Sequence, residues 1–306
     1  MNIDHLKYVL EVEKCGSISK AAKNLYLNQP YLSKVISEVE GELNIKIFER
    51  SNKGIETTYE GREVLSRITH IVNEMNALEH LYDSDQAMVR FSVALPTASY
   101  IASAFDNFIQ TCIPTKSSAD IIYHETDPAD AIELVSNAEC NLGIVRMFNF
   151  DKDYYQHLLE FKNLSSYTLC DFDSVVLMSK NSPLANKTFI EKKDLEGLIA
   201  IRHGDIRLPR HTTSFLDDLY KSAGVNQIIK VYERASEFEI LTALRKAFMF
   251  VSPMPEATLK RYNLVTKHTS PTLLKGRDIL IYCRGYTLSR EDTQFIEYLR
   301  NEIRQF

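Results

Sequence analysis

Between residues 29 and 43 apolar side chains recur at Leu32, Val35, Ile36, Val39 and Leu43. Steps of three and four place all five on one face of a helix. At about 100° per residue the opposite face carries Pro30, Ser33, Lys34 and Ser37, with Tyr31 on the flank. Such a helix buries its stripe and presents small polar residues and one lysine. That face can enter a DNA major groove without steric or charge conflict. Asn28 is placed to cap the helix, and Pro30 sits in the first turn, where a missing N–H costs nothing. Glu38, Glu40 and Glu42 fall in the C-terminal half, away from the end that would meet base edges.

The flanking segments complete a small domain over residues 1–58. A helix from about Asp4 to Lys14 ends at Gly16. Ser17 caps a second helix carrying Ile18, Ala21, Ala22 and Leu25, and Tyr26-Leu27 makes a tight connection. Residues from Ile45 to Tyr59 read as two strands around Asn52-Lys53-Gly54, a wing that brings Lys46, Arg50 and Lys53 together. Those cations suit phosphates.

A long helix is expected over residues 59–88, with Thr57 and Glu60 at capping-box spacing. Val64, Ile68, Ile71, Met75, Leu78 and Tyr82 alternate steps of four and three, a heptad seam broadened by Leu65, Val72 and Leu81. The seam reads as a dimerisation helix. The alternative is packing against the chain's own C-terminal domain.

From Val89 strands and helices alternate, starting with VRFSVAL, ADIIYHE and NLGIVR and ending with DILIYCR and a final helix from about Ser289. That rhythm means βαβ units and mostly parallel sheets. The span 89–306 is expected to form two α/β subdomains, one from 89–163 and 268–306, the other from 164–267.

The chain has 306 residues and a net charge of −5. In residues 1–58 the cations Lys7, Lys14, Lys20, Lys23, Lys34, Lys46, Arg50 and Lys53 are matched one for one by acids. The surplus acid therefore lies in residues 59–306, and the placement of charge matters more than its sum. No apolar run approaches the roughly 18 residues of a membrane span. The N-terminus has acids inside its apolar stretch and lacks the h-region of a signal peptide, so the chain is expected in the cytoplasm, with no membrane partner. Cys15, Cys112, Cys140, Cys170 and Cys283 show neither CxxC nor metal-ligand spacing and read as reduced thiols. No GxGxxG, Walker, GxSxG or HExxH motif is present, which speaks against an enzyme, a cofactor and a metal site.

Ser17, Ala21-Ala22, Leu25, Asn28-Gln29-Pro30, Ser33, Ile36, the Glu40/Leu43 region, Phe48-Glu49-Arg50 and Thr58–Gly61 resemble the LysR-type transcriptional regulators. The match is dense over about the first 60 residues, and the order of later segments resembles the family throughout. Asn28 replaces the family's usual serine, Asn44 a usual glycine, and Arg245-Lys246-Ala247 a glycine-containing turn. The resemblance implies an α/β multidomain protein: a winged helix-turn-helix, a linker helix, and a two-subdomain effector domain like type 2 periplasmic binding proteins. It also implies a homodimer or homotetramer on palindromic duplex DNA, a small-molecule effector, and RNA polymerase as an open further partner.

Within that frame, Gln29, Ser33 and Lys34 suit base or phosphate contacts, joined by Ser17, Asn28, Pro30, Tyr31, Ser37, Arg50 and Lys53. Effector contacts are expected beyond the carboxyl ends of strands. Thr97, Ala98, Ser99 and Tyr100 could receive an anion such as a carboxylate. Glu125, Thr126, Arg146, Arg202, His203 and Ser252 are the facing candidates, with Arg202 open either to a bidentate pair with a ligand carboxylate or to a surface ion pair.

Overall fold

The structure, a computed structural model, describes residues 2–51, 54–79, 89–112, 118–204 and 209–305. The chain divides into two compact units, Met1–Ala87 and Met88–Phe306.

In the first unit, α1 (Ile3–Cys15) is capped by Asn2 and ended by Gly16 in the left-handed conformation. α2 (Ile18–Asn24) takes Ser17 as its cap. α3 (Gln29–Leu43) starts at Asn28, whose Oδ1 accepts from Tyr31 N at 2.8 Å. Asn44 ends it with φ 54°, a conformation asparagine adopts more readily than most residues. β1 (Phe48–Ser51) and β2 (Gly54–Thr57) form the antiparallel hairpin. Gly54 has φ 128°, and Ile55 N donates to Gly16 O at 3.1 Å, so the hairpin docks on the end of α1.

Two buried devices fix this unit. Glu40, in the C-terminal half of α3, is buried. Its carboxylate accepts from Ile47 N at 2.9 Å, Phe48 N at 3.1 Å and Lys46 Nζ at 2.6 Å, tying α3 to the entry of the hairpin. α4 (Tyr59–Glu79) starts one residue later than the Thr57/Glu60 spacing implies. Thr58 Oγ1 accepts from Gly61 N at 2.8 Å and donates to Lys46 O, while Thr57 remains in β2. A Cβ at Gly61 would overlap Ile47 O, so glycine is required there.

The apolar seam of α4 splits between two uses. Leu65, Ile68 and Val72 are buried in the unit's own core, and Val64 packs against it. Ile71 and Leu78 stay 46% and 60% exposed. Ile68, expected in an intermolecular seam, is thus claimed by its own domain; Tyr82 lies outside the described residues.

The second unit holds two mixed five-stranded sheets. The first comprises β3 (Val89–Leu95), β4 (Ala119–Glu125), β5 (Leu142–Phe148), β6 (Leu164–Asp173) and β12 (Lys275–Cys283), in the order β4-β3-β5-β12-β6. α5 (Ser99–Cys112), α6 (Pro128–Ser136), α7 (Lys152–Phe161) and α11 (Arg290–Ile303) accompany it. The second comprises β7 (Val175–Ser179), β8 (Ile199–His203), β9 (Gln227–Val231), β10 (Ala247–Val251) and β11 (Leu264–His268), in the order β11-β7-β10-β8-β9. Its helices are α8 (Arg210–Ser222), α9 (Arg234–Ala243) and α10 (Glu256–Arg261). In each sheet three neighbouring strands are parallel and the other pairings antiparallel.

β6 corrects the expected division at residue 164. It pairs antiparallel with β12 from Leu164↔Cys283 to Asp173↔Lys275 and so belongs to the first sheet. The chain changes sheet at Ser174 and returns between His268 and Lys275. The two crossings are tied together: Ser174 N donates to Leu274 O at 2.9 Å, and Thr272 Oγ1 to Asp173 Oδ2 at 3.0 Å. Lys192–Leu195 forms a 3₁₀ turn, and α7 is a helix that the sequence pattern did not announce.

Glu40→Ala leaves the amides of Ile47 and Phe48 without their acceptor in a closed site. The first unit is expected to lose about 2 kcal/mol or more of stability, measured by denaturant unfolding followed by circular dichroism.

Candidate DNA-binding face and effector cleft

α3 turns its stripe inward: Leu32, Val35, Ile36 and Val39 are buried and Leu43 packs against the core. Gln29, Pro30, Tyr31, Lys34 and Ser37 are therefore exposed, and Ser33 is half-buried. Ser37 Oγ donates back to Ser33 O at 3.1 Å, which leaves its oxygen outward on the same face. Lys34 lies 3.6 Å from Glu38 one turn on, and both are exposed; a pair of this kind holds weakly. Ser17 caps α2 through a bond from Lys20 N at 3.4 Å. The Arg50 backbone pairs with Ile55 in the hairpin. The Arg50 side chain and all of Lys53 lie outside the described residues.

In the second unit a cleft of about 170 Å³ opens beyond the carboxyl ends of the parallel strands. Thr97, Ala98, Ser99, Thr126, Arg146, Arg202, His203 and Ser252 all line it. The other two candidates stand behind the wall. Tyr100 is fully buried and donates to Asp278 Oδ2 at 2.6 Å; Glu125 is engaged by Arg234.

Each arginine of the cleft already faces a carboxylate of the chain. Arg146 Nε and Nη2 grip the two oxygens of the fully buried Asp278 at 2.9 and 2.7 Å, with the Phe172 ring 4.6 Å from the guanidinium. Burial opposes the Arg146 charge, but Asp278 outweighs it and raises the pKa. Burial, then the Asp278 charge, pushes Tyr100 well up. Arg202 takes the second of its two expected roles, an ion pair, with Asp217 of α8 at 3.1 Å. His203 Nδ1 lies 2.9 Å from Oε1 of the buried Glu237.

Arg234, the first residue of α9, was not legible in the sequence. Its Nη1 donates to Glu125 Oε1 and its Nη2 to Ser99 Oγ, both at 2.8 Å. One side chain from the second sheet's layer thereby holds two elements of the first. Asp151 makes a second tie, accepting from Phe148 N at 2.6 Å and from Thr212 Oγ1 of α8 at 3.3 Å. Phe148, Ile201, Leu216, Phe238, Met249 and Met254 supply an apolar wall. No sequence motif announces these residues, because they meet only when the two sheets face each other.

Burial pushes the thiols of Cys140 and Cys170 up to about 11, and those of Cys15 and Cys112 up as well. Those four stay protonated at neutral pH, which disfavours thiolate chemistry. Among the described residues no three His, Cys, Asp or Glu side chains gather to hold a metal ion, and no helix is long and apolar enough to cross a membrane.

A winged helix-turn-helix followed by a two-sheet unit with a cleft defines a ligand-responsive DNA-binding regulator. Residues 3–62 match the family model for the bacterial regulatory helix-turn-helix protein, lysR family, and residues 83–304 match the LysR substrate binding domain. The chain belongs to the LysR family, whose members are DNA-binding transcriptional regulators with an effector-binding domain. It is 23% identical over 289 residues to the HTH-type transcriptional regulator YvbU of Bacillus subtilis, covering 92% of each chain. It is 24% identical over 308 residues to the HTH-type transcriptional regulator MetR of Haemophilus influenzae, covering 97% of this chain and 90% of MetR. The full-length LysG of Corynebacterium glutamicum, solved with bound effector Arg, superposes with a TM-score of 0.67 at 12% identity, covering 100% of this chain and 99% of LysG.

Arg146→Ala strands the Asp278 charge in a closed site. The second unit is expected to lose about 3–5 kcal/mol, read as an early unfolding transition in denaturant.

Proposed function

We propose that this protein regulates transcription in the cytoplasm as a homodimer or a dimer of dimers, without catalysing a reaction, and that its effector is a small carboxylate with an apolar body. Gln29, Ser33 and Lys34 on the exposed start of α3 read base edges, and Ser17 and the hairpin contact phosphates. Palindromic sites follow from a two-fold protein.

The single observation behind the effector reading is the convergence of donors at one end of the cleft. Arg234 spends one donor on each terminal nitrogen, leaving others of its five. Thr97 and Ser99 stand at the start of α5, where first-turn N–H groups have no helical partner and favour an anion. The apolar wall described above receives the rest of the molecule. Arg146 commits Nε and Nη2 to the fully buried Asp278, so it holds the wall rather than the ligand.

Thermal-shift measurements on the full chain with small carboxylic acids and their matching amides test this reading. The acids are expected to raise the melting temperature and the amides to leave it unchanged; equal shifts from both would defeat it. Thr97→Asp is expected to remove the shift while duplex binding stays intact.

Dimerisation is carried by what α4 leaves uncovered. Ile71 and Leu78 are seven residues apart, so they share a face, and Met75 lies between them half-buried. Burying two large side chains per protomer needs a partner helix of the same kind. Leu78→Glu is expected to lower the sedimentation mass of the full chain toward that of one protomer. A mass equal to the parent's would exclude this helix as the main contact.

A further inference from the structure

α2 ends in a complete set of reverse-turn hydrogen bonds. Leu27 N donates to Ala22 O at 2.9 Å and Tyr26 N to Lys23 O at 3.3 Å. This is the pattern that forces the residue after the cap into the left-handed conformation, a place usually taken by glycine or asparagine. Here that residue is Tyr26, with φ 56°.

The rest of the chain follows the rule closely. Among the described residues, Gly16, Asn44, Asn163, Gly224 and Asn263 take left-handed positions at helix ends, as does the small Ala138. A bulky side chain at such a φ is strained. Burial could offset the strain, but Tyr26 is 97% exposed. Neither local conformation nor packing therefore accounts for a tyrosine at this position.

Its place in the chain does account for it. Tyr26 precedes Gln29 by three residues, so their Cα atoms are at most about 11 Å apart. The major groove is about 12 Å wide. When the start of α3 occupies the groove, that separation leaves the exposed Tyr26 within reach of the rim, where the phosphates run. We infer that Tyr26 is a further DNA-contacting residue, its phenol hydroxyl donating to a backbone phosphate oxygen beside the recognition helix. The contact is sequence-independent and positions the helix rather than reading a base.

Binding of the full chain to a random-sequence duplex at low salt, measured by fluorescence anisotropy, tests the inference, which rests on α3 being the DNA-binding element. Tyr26→Phe and Tyr26→Asn are each expected to bind about tenfold more weakly than the parent. The slope of log affinity against log salt is expected to stay unchanged, because a neutral donor releases no counterion. Tyr26→Asn should melt no lower than the parent, since asparagine relieves the strained backbone, so its loss of affinity is not a loss of fold. Tyr26→Phe binding as tightly as the parent overturns the hydroxyl contact. A parent protein that ignores duplex DNA altogether overturns instead the assignment of α3.

Discussion

The second unit depends on the chain crossing twice between sheets at one place. Ser174 alone separates β6 from β7, and the return strand is held against it through Leu274 O and Asp173. Two adjacent crossings permit the sheets to pivot about a narrow line while their distant edges stay unlinked by backbone. A cleft is the geometric result, and the carboxyl ends of the parallel strands face into it. The side chains that reach over the gap then decide how open it stands: Arg234 to Glu125 and Ser99, and Thr212 to Asp151.

Charge is arranged to suit a partly dry site. A guanidinium in such a place is costly unless a carboxylate meets it, and a buried carboxylate is costly unless donors surround it. Asp278 meets both needs, with Arg146 on two oxygens and Tyr100 on one. Glu40 solves the same problem in the first unit with two backbone amides and a lysine. In each case an acid joins separate elements, neighbours in sequence for Glu40 and distant ones for Asp278, with a directional control that a hydrophobic contact lacks.

The first unit was largely legible in the sequence because its signals are local. Caps such as Asn28 and Ser17, the glycine after α1 and the stripe on α3 each act within a few residues. The burial of Glu40 was not legible, since its partners lie in the hairpin and its periodic position is one step off the stripe. In the second unit β3 and β4 could be read to the residue, whereas the sheet membership of β6 could not. Alternation shows that a strand has two faces; it does not say which strand it pairs with. α7 escaped because its aromatic content weakens the helical signal. Thr97 to Ser99 could be located from strand ends, but the role of Arg234 depends on the facing of two sheets.

Glu125 already sits where an incoming acid would seek its guanidinium. Any ligand drawn to Arg234 therefore meets an occupant tethered to the fold and further held by the Tyr123 hydroxyl at 3.0 Å. Rivalry with a resident group sets a concentration threshold: weak or scarce acids leave the resident in place, and only an abundant or well-fitting one displaces it. If Arg234 receives the effector as proposed, this single internal ion pair sets the level an acid must exceed before it binds.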